Sequence, residues 1–184
     1  MNTRATDAWI PILQHRPLYL TPAELARYDG ADPALPIYLA INGTIYDVSA
    51  GARHYGPGGS YHSFAGADAT RAFVTGCFAD DVTPDLRGAE LAFLPTDDAA
   101  IDALFPPPQL RALKDQERRL ARAEVESSVK KWTDFFRDSD KYHFVGYVVR
   151  PEPTGAPPEL CKVASDGRPK RRRPDEKPRG VPRV

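Results

Sequence analysis

The stretch "LPIYLAINGTIYDVS", residues 35–49, leaves the chain few options. Ile37, Leu39 and Ile41 alternate, and Ile45, Tyr46 and Val48 follow on the far side of Asn42-Gly43. That dipeptide suits a type I′ turn, in which both central residues take positive φ. A tight β-hairpin is predicted. Asn42-Gly43-Thr44 is also a glycosylation sequon, and the turn reading takes precedence over it.

Local signals place the other elements around this hairpin. "LYL" at 18–20 predicts a short strand and "YHFVGYVV" at 142–149 a closing one. In "TPAELARYDG", Thr21 as N-cap, Pro22 at the first helical position and Glu24 three residues after the cap form a capping box. Leu25 and Tyr28 share a face of this short helix, and Gly30 ends it. "SFAGADATRAFVTG" predicts a helix capped by Ser63, with Phe64, Ala72 and Phe73 inward and Gly76 as its stop. Residues 78–109 read as irregular and acidic. A long helix follows, with an apolar stripe of Leu110, Leu113, Leu120, Val125, Val129, Trp132 and Phe136.

The 184 residues suffice for one domain with tails, and 41% apolar residues allow a real core. Residues 1–17 read as a loose arm with an apolar patch at Trp9, Ile10, Ile12 and Leu13, and 18–150 as the domain, with a charged insertion at about 78–131. Residues 151–184 are Pro-rich and then basic, and predict a disordered tail. The 25 basic and 25 acidic residues balance, so bulk charge selects no partner and nucleic acid is not expected. From Asp166 onward, eight Lys/Arg against three Asp/Glu leave about +5. "PKRRRP" there suits a nuclear signal, an RNA-adhesive tail or a peripheral contact with anionic lipid; a solubilising tail is the plain alternative. No run reaches the ~18 apolar residues of a membrane span, and no signal peptide is evident. Cys77 and Cys161 are too few for a disulfide framework and are expected to be free thiols in a reducing compartment.

The stretch "HYGPGGSYHSFAG", residues 54–66, carries the chemistry. Gly56, Gly58 and Gly59 let backbone approach a ligand closely, and Pro57 stiffens the turn. Tyr55 and Tyr61 flank it. A deprotonated tyrosine oxygen is a hard ligand for ferric iron, and tyrosine is a known proximal haem ligand. On spacing alone the plainer reading is favoured, in which both tyrosines are packing residues with hydrogen-bonded hydroxyls. His54 and His62 could ligate a metal, but their spacing is no zinc signature; His15 and His143 are isolated. No G-x-S-x-G, P-loop or H-E-x-x-H occurs, so no motif asks for an enzyme.

Taken in order, "LTPAELARYDG", "PIYLAINGTIYDVSAG", "HYGPGGSYHSFAGADATRAFVTG" and "WTDFF…KYHFVGYVV" resemble the cytochrome b5-like haem/steroid-binding domain of the membrane-associated progesterone receptor (MAPR) family. The resemblance implies an α+β, cytochrome b5-like fold: a small mixed sheet with helices forming a haem cleft. Cytochrome b5 carries an axial histidine directly before Pro-Gly-Gly; here Gly56 stands before Pro57-Gly58-Gly59, and no histidine lies between His62 and His143. A bis-histidine electron carrier is therefore disfavoured, with His62 its one plausible rescue ligand. By resemblance, Tyr61 is the ligand of a ferric b-type haem and Tyr55 supports it through its hydroxyl. Lys141 would pair with a haem propionate, and Tyr142 would hydrogen-bond near the ligand oxygen. The implied function is a non-enzymatic haem-binding protein that supports cytochrome P450 enzymes, sterol metabolism or haem handling. The alternative is a haem-free module for a steroid or a protein segment. The family implies association with the endoplasmic reticulum; a soluble cytoplasmic protein is the other option. This chain departs from the family in lacking a basic group within Gly66-Ala67-Asp68-Ala69 and in the charged 78–131 segment, and it is expected to lack the family's anchor, the Trp9–Leu13 patch being either an anchor's remnant or part of a soluble member.

Overall fold

The computed structural model describes residues 16–176; the apolar patch at 9–13 and the chain end from 177 lie outside the described residues. The hairpin forms as β2 (Tyr38–Ile41) and β3 (Thr44–Asp47), with Ile41 opposite Thr44. Asn42 has φ 49° and Gly43 φ 75°, the left-handed pair that a type I′ turn demands. Beside β3 runs β4 (His143–Val148), antiparallel, and beside β4 runs β1 (Leu18–Leu20), parallel. The order β1-β4-β3-β2 makes a four-stranded mixed sheet.

Alternation along the hairpin sends residues to two cores. Leu39, Ile41, Tyr46 and Val48 face one layer, with Tyr55, Phe64, Ala72 and Phe136. Ala40 and Ile45 face the other, with Leu25 and Val148. Leu25 comes from α1 (Pro22–Leu25), whose capping box is formed: Glu24 N–H donates to Thr21 Oγ1 at 3.3 Å, and Thr21 N–H donates to Glu24 Oε2 at 2.8 Å.

The segment expected to be a helix over 63–76 is α-helical only in α3 (Thr70–Thr75), preceded by a single 3-10 turn at His62–Phe64. Gly66 takes φ 73°, and residues 66–69 run alongside β2 instead: Ala40 N–H donates to Ala67 O, and Ala69 N–H to Ala40 O. Pairing with the sheet outcompetes helix propensity here. Ser63 does not cap; its hydroxyl donates to Phe78 O. Gly76 does end the helix, at φ 75°.

After a short helix, α4 (Ala99–Asp102), the long helix α5 (Pro107–Arg137) crosses the first core and buries Ala121 and Phe136. Leu120, placed on the apolar stripe by its spacing, is 57% exposed instead. This half of α5 packs through the neighbouring side instead, where Ala121 is buried and Glu117 and Lys114 find ion-pair partners.

The Pro-rich segment after residue 150 differs most from its expectation. Residues 151–176 return along the domain as an ordered strap that includes α6 (Lys162–Asp166). Arg71, fully buried, donates to the carbonyls of Pro158 (3.2 Å) and Glu159 (3.4 Å) on the strap, and of Asp85 (3.0 Å) and Arg87 (2.9 Å) on the facing loop. Arg171, from the basic "PKRRRP" run, is 7% exposed and pairs with Glu117, Asp97 and Asp102. The cysteines are not free thiols: Cys77 and Cys161 form a disulfide, with Cα atoms 6.3 Å apart. Composition alone reads such a strap as disordered, because its stabilising partners sit elsewhere in the chain.

Candidate functional site

The Gly-rich loop is built by backbone contacts that leave little freedom. It begins in α2 (Ala52–Tyr55), and Gly56 N–H donates to Ala52 O. Tyr61 N–H donates to His54 O at 2.9 Å, closing the loop on itself. A Cβ at Gly56 would sit 2.6 Å from Ala52 O, and one at Gly59 would run into the His54 carbonyl. Position 56, where cytochrome b5 carries a histidine ligand, is therefore sealed by backbone. No side chain fits there without remaking the turn.

The loop presents the two tyrosines differently. Tyr55 is buried at 6% exposure, whereas Tyr61 is 39% exposed. Their rings lie 6.1 Å apart, and Tyr142 meets Tyr55 edge-on at 5.9 Å. Burial, and then the neighbouring Tyr142 hydroxyl, push the Tyr55 phenol well above its ordinary pKa. Tyr55 thus stays a neutral phenol. Of the two, Tyr61 is the one open to an incoming electrophile or metal.

Behind Tyr61 stands an aromatic wall. Phe64 stacks on it at 5.8 Å, nearly parallel, and Phe78 meets it edge-on at 5.9 Å. Phe73 joins Phe64 at 4.8 Å and Trp132 at 4.7 Å, and Phe136 links Phe73 to Tyr142. Contacts of this kind prefer such tilted and offset geometries. Sequence reasoning placed Phe64, Phe73, Trp132 and Phe136 only as core and missed Phe78 altogether. The one signal for Phe78 was its position directly after Cys77.

Lys141 follows the end of α5 and is exposed; its N–H donates to Ser139 Oγ at 3.1 Å. It adjoins Tyr142 in sequence. The histidines are otherwise engaged or peripheral. His62 Nδ1 lies 3.1 Å from Tyr55 O, and the His54 ring is 6.4 Å from that of Tyr61. Among the described residues, no group of three His, Cys, Asp or Glu side chains could hold a metal ion.

A cavity of about 980 Å³ lies apart from this face, lined by Leu25, Asp68, Leu86, Arg87, Arg150 and Pro151 among others. None of Tyr55, Tyr61, Lys141 or Tyr142 lines it. Four of its five charged groups are paired, Arg150 lying 3.7 Å from Asp68 and Arg87 2.7 Å from Asp85; Glu152 has no ion-pair partner among the described residues. The tyrosine face holds the accessible donor and is the stronger candidate. One accessible phenol before an aromatic wall, with a neutral phenol beside it, is a donor set that fits a flat, apolar iron macrocycle.

Comparison with known proteins agrees with this architecture. The model of the cytochrome b5-like haem/steroid-binding domain matches residues 21–149. Human neuferricin is 53% identical over 99 residues, covering 51% of this chain and 36% of that protein. The cytochrome P450 regulator dap1 of Schizosaccharomyces pombe is 36% identical over 131 residues, covering 71% of this chain and 63% of its own. The chain thus spans only part of the length of these relatives. A solved Arabidopsis thaliana protein with a cytochrome b5-like fold superposes with a TM-score of 0.50 at 29% identity, covering 74% of this chain and 94% of that one. An α+β fold around a mixed sheet, an ordered motif series and a family match across most of the chain lead to one conclusion: this protein belongs to the cytochrome b5-like haem/steroid-binding domain family, in its membrane-associated progesterone receptor branch.

Proposed function

We propose that the chain binds ferric b-type haem at the tyrosine cleft, with Tyr61 as the iron ligand, and acts as a regulator rather than an enzyme. The observation that carries this reading is the contrast between the two tyrosines. Tyr61 is accessible in front of an aromatic wall, while Tyr55 is buried and held as a neutral phenol. A phenolate ligand favours Fe(III) over Fe(II), because a hard anionic oxygen stabilises the higher charge. Tyr55 stands beside Tyr61 and meets Tyr142 edge to face, so two further phenols adjoin the ligand. Phe64 and Phe78 exclude water from its flanks. Lys141 supplies a positive charge for a propionate.

The fission-yeast relative is named as a cytochrome P450 regulator. By analogy, the haem-loaded face would present a surface to a P450 enzyme or a sterol-handling partner. Relatives are also named as membrane-associated, while no described helix is long and apolar enough to cross a membrane. The Cys77–Cys161 disulfide favours an oxidising compartment over the reducing one expected from the cysteine count.

The test is a hemin titration followed by absorbance. The wild-type protein is expected to give a ferric high-spin spectrum, and Tyr61→Phe to abolish it. An unchanged spectrum in Tyr61→Phe would overturn the ligand assignment. A protein that takes no hemin yet binds a sterol in titration would instead be a haem-free binding module.

A further inference from the structure

We propose that the Cys77–Cys161 disulfide makes Phe78 a positioning residue for the haem ligand, holding its ring as the outer wall of the tyrosine cleft. This rests on the haem reading above. Phe78 directly follows Cys77, which is 4% exposed. Its ring meets Tyr61 at 5.9 Å and 82°, Phe64 at 5.3 Å and 89°, and Phe73 at 6.3 Å and 53°. Phe78 is nonetheless 40% exposed, so two fifths of its surface gains nothing from burial. Edge-to-face contacts alone are weak. Its backbone is held by the Ser63 hydroxyl, which donates to Phe78 O at 3.1 Å. Something further must keep this ring from swinging into water.

The crosslink supplies it. Cys161 stands at the N-cap of α6, within the strap. The strap is anchored on both sides of that cysteine. Before it, Arg71 holds the carbonyls of Pro158 and Glu159. After it, Arg171 is gripped by Glu117, Asp97 and Asp102, and Thr96 N–H donates to Pro169 O at 2.9 Å. The disulfide thus ties the residue before Phe78 to a fixed point 84 residues away. On the other side, Asp81 N–H donates to Cys77 O, and Thr75 Oγ1 donates to Asp81 at 2.7 Å, so the turn after the cysteine is pinned as well. The wall of the ligand site is therefore set by a segment outside the sheet and its helices.

The experiment measures the rate of haem transfer from the hemin-loaded protein to excess apomyoglobin, and, without haem, the rate of Tyr61 nitration located by peptide mass spectrometry. The proteins are wild type, C77S/C161S, F78A with the disulfide intact, and the triple variant. Losing the edge-on ring contacts is expected to speed haem loss roughly tenfold in C77S/C161S and in F78A alike. The triple variant should be no worse than either, since both changes remove one interaction. Tyr61 nitration should accelerate in the same variants in the haem-free state. If wild type takes no hemin, the haem reading fails and this inference falls with it. If wild type binds hemin but C77S/C161S and F78A lose haem and nitrate at the wild-type rate, the haem reading stands and this inference alone is overturned. Should C77S/C161S fail to fold, the wild-type protein with its disulfide opened by a thiol-free phosphine, its fold checked by circular dichroism, stands in for it: haem loss and Tyr61 nitration at the rates of the crosslinked protein would overturn the inference.

Discussion

Replacing Arg71 by Met tests how the strap and the facing loop are joined. The guanidinium is 0% exposed and donates to four backbone carbonyls, at 2.9 to 3.4 Å, from Asp85, Arg87, Pro158 and Glu159. Its Nε also lies 3.2 Å from Asp81 Oδ1, close enough for charge attraction though not aligned as a hydrogen bond. Methionine keeps the methylene packing and removes only the charge and the donors. Breaking a buried ion pair from one side costs about 3–5 kcal/mol, since the partner charge stays buried. Each carbonyl stripped of its donor would add about 1 kcal/mol or more if it stayed dry. Both loops lie near the surface and can rewet, which offsets most of that added cost. We expect Arg71→Met to cost about 4 kcal/mol, close to a thousandfold in the folding equilibrium. That is a large part of the ~5–15 kcal/mol a domain usually has. Asp81→Asn should cost clearly less, because Arg71 keeps its four carbonyls. Arg71→Lys should recover little, since an ammonium cannot span two loops as the planar fork does. Urea unfolding followed by circular dichroism reads all three. A loss under about 1 kcal/mol for Arg71→Met would refute the view that this side chain joins the two segments.

Removing the disulfide as C77S/C161S should lower unfolding stability by about 4–5 kcal/mol on the chain-entropy account, given a separation of 84 residues; a midpoint shift in urea equivalent to less than about 1 kcal/mol would contradict it. Acid should release the strap. Lys114 first and then Arg171 hold the Asp97 and Asp102 carboxyls below their ordinary range, and Arg87 does the same for Asp85. A lowered folded pKa stabilises above the unfolded value of about 4 and is lost as pH falls through the folded one. Amide exchange within 162–167 should therefore speed up below pH about 4, and protection unchanged down to pH about 2 would count against the ion cluster as the clasp.

Local chemistry was legible wherever it dictated structure within a few residues. The Asn42-Gly43 turn and the Thr21–Glu24 capping box both formed from neighbours in sequence. The helix expected from Ser63 did not, because Gly66 turned the chain and β2 supplied better partners for residues 66–69. Leu120 fitted a helical stripe, but periodicity says which face a residue is on and not whether anything covers that face. Tyr55, Tyr61 and Tyr142 could be named from motif resemblance. Which tyrosine was buried and which was open could not.

By itself, the sequence determined the hairpin, the capped helix and the tight glycine turn, since each rests on short-range sterics and hydrogen bonding; the family was legible only through the resemblance of these motifs in order. The tertiary structure alone decided the fate of residues 151–176 and the role of the cysteines. A Pro-rich, basic segment has too little apolar surface to order itself. Here its order comes from Arg71, from three carboxylates around Arg171 and from Cys77, all distant in sequence. Charges and thiols that look solvated in one dimension become anchors once the fold brings their partners within bonding distance.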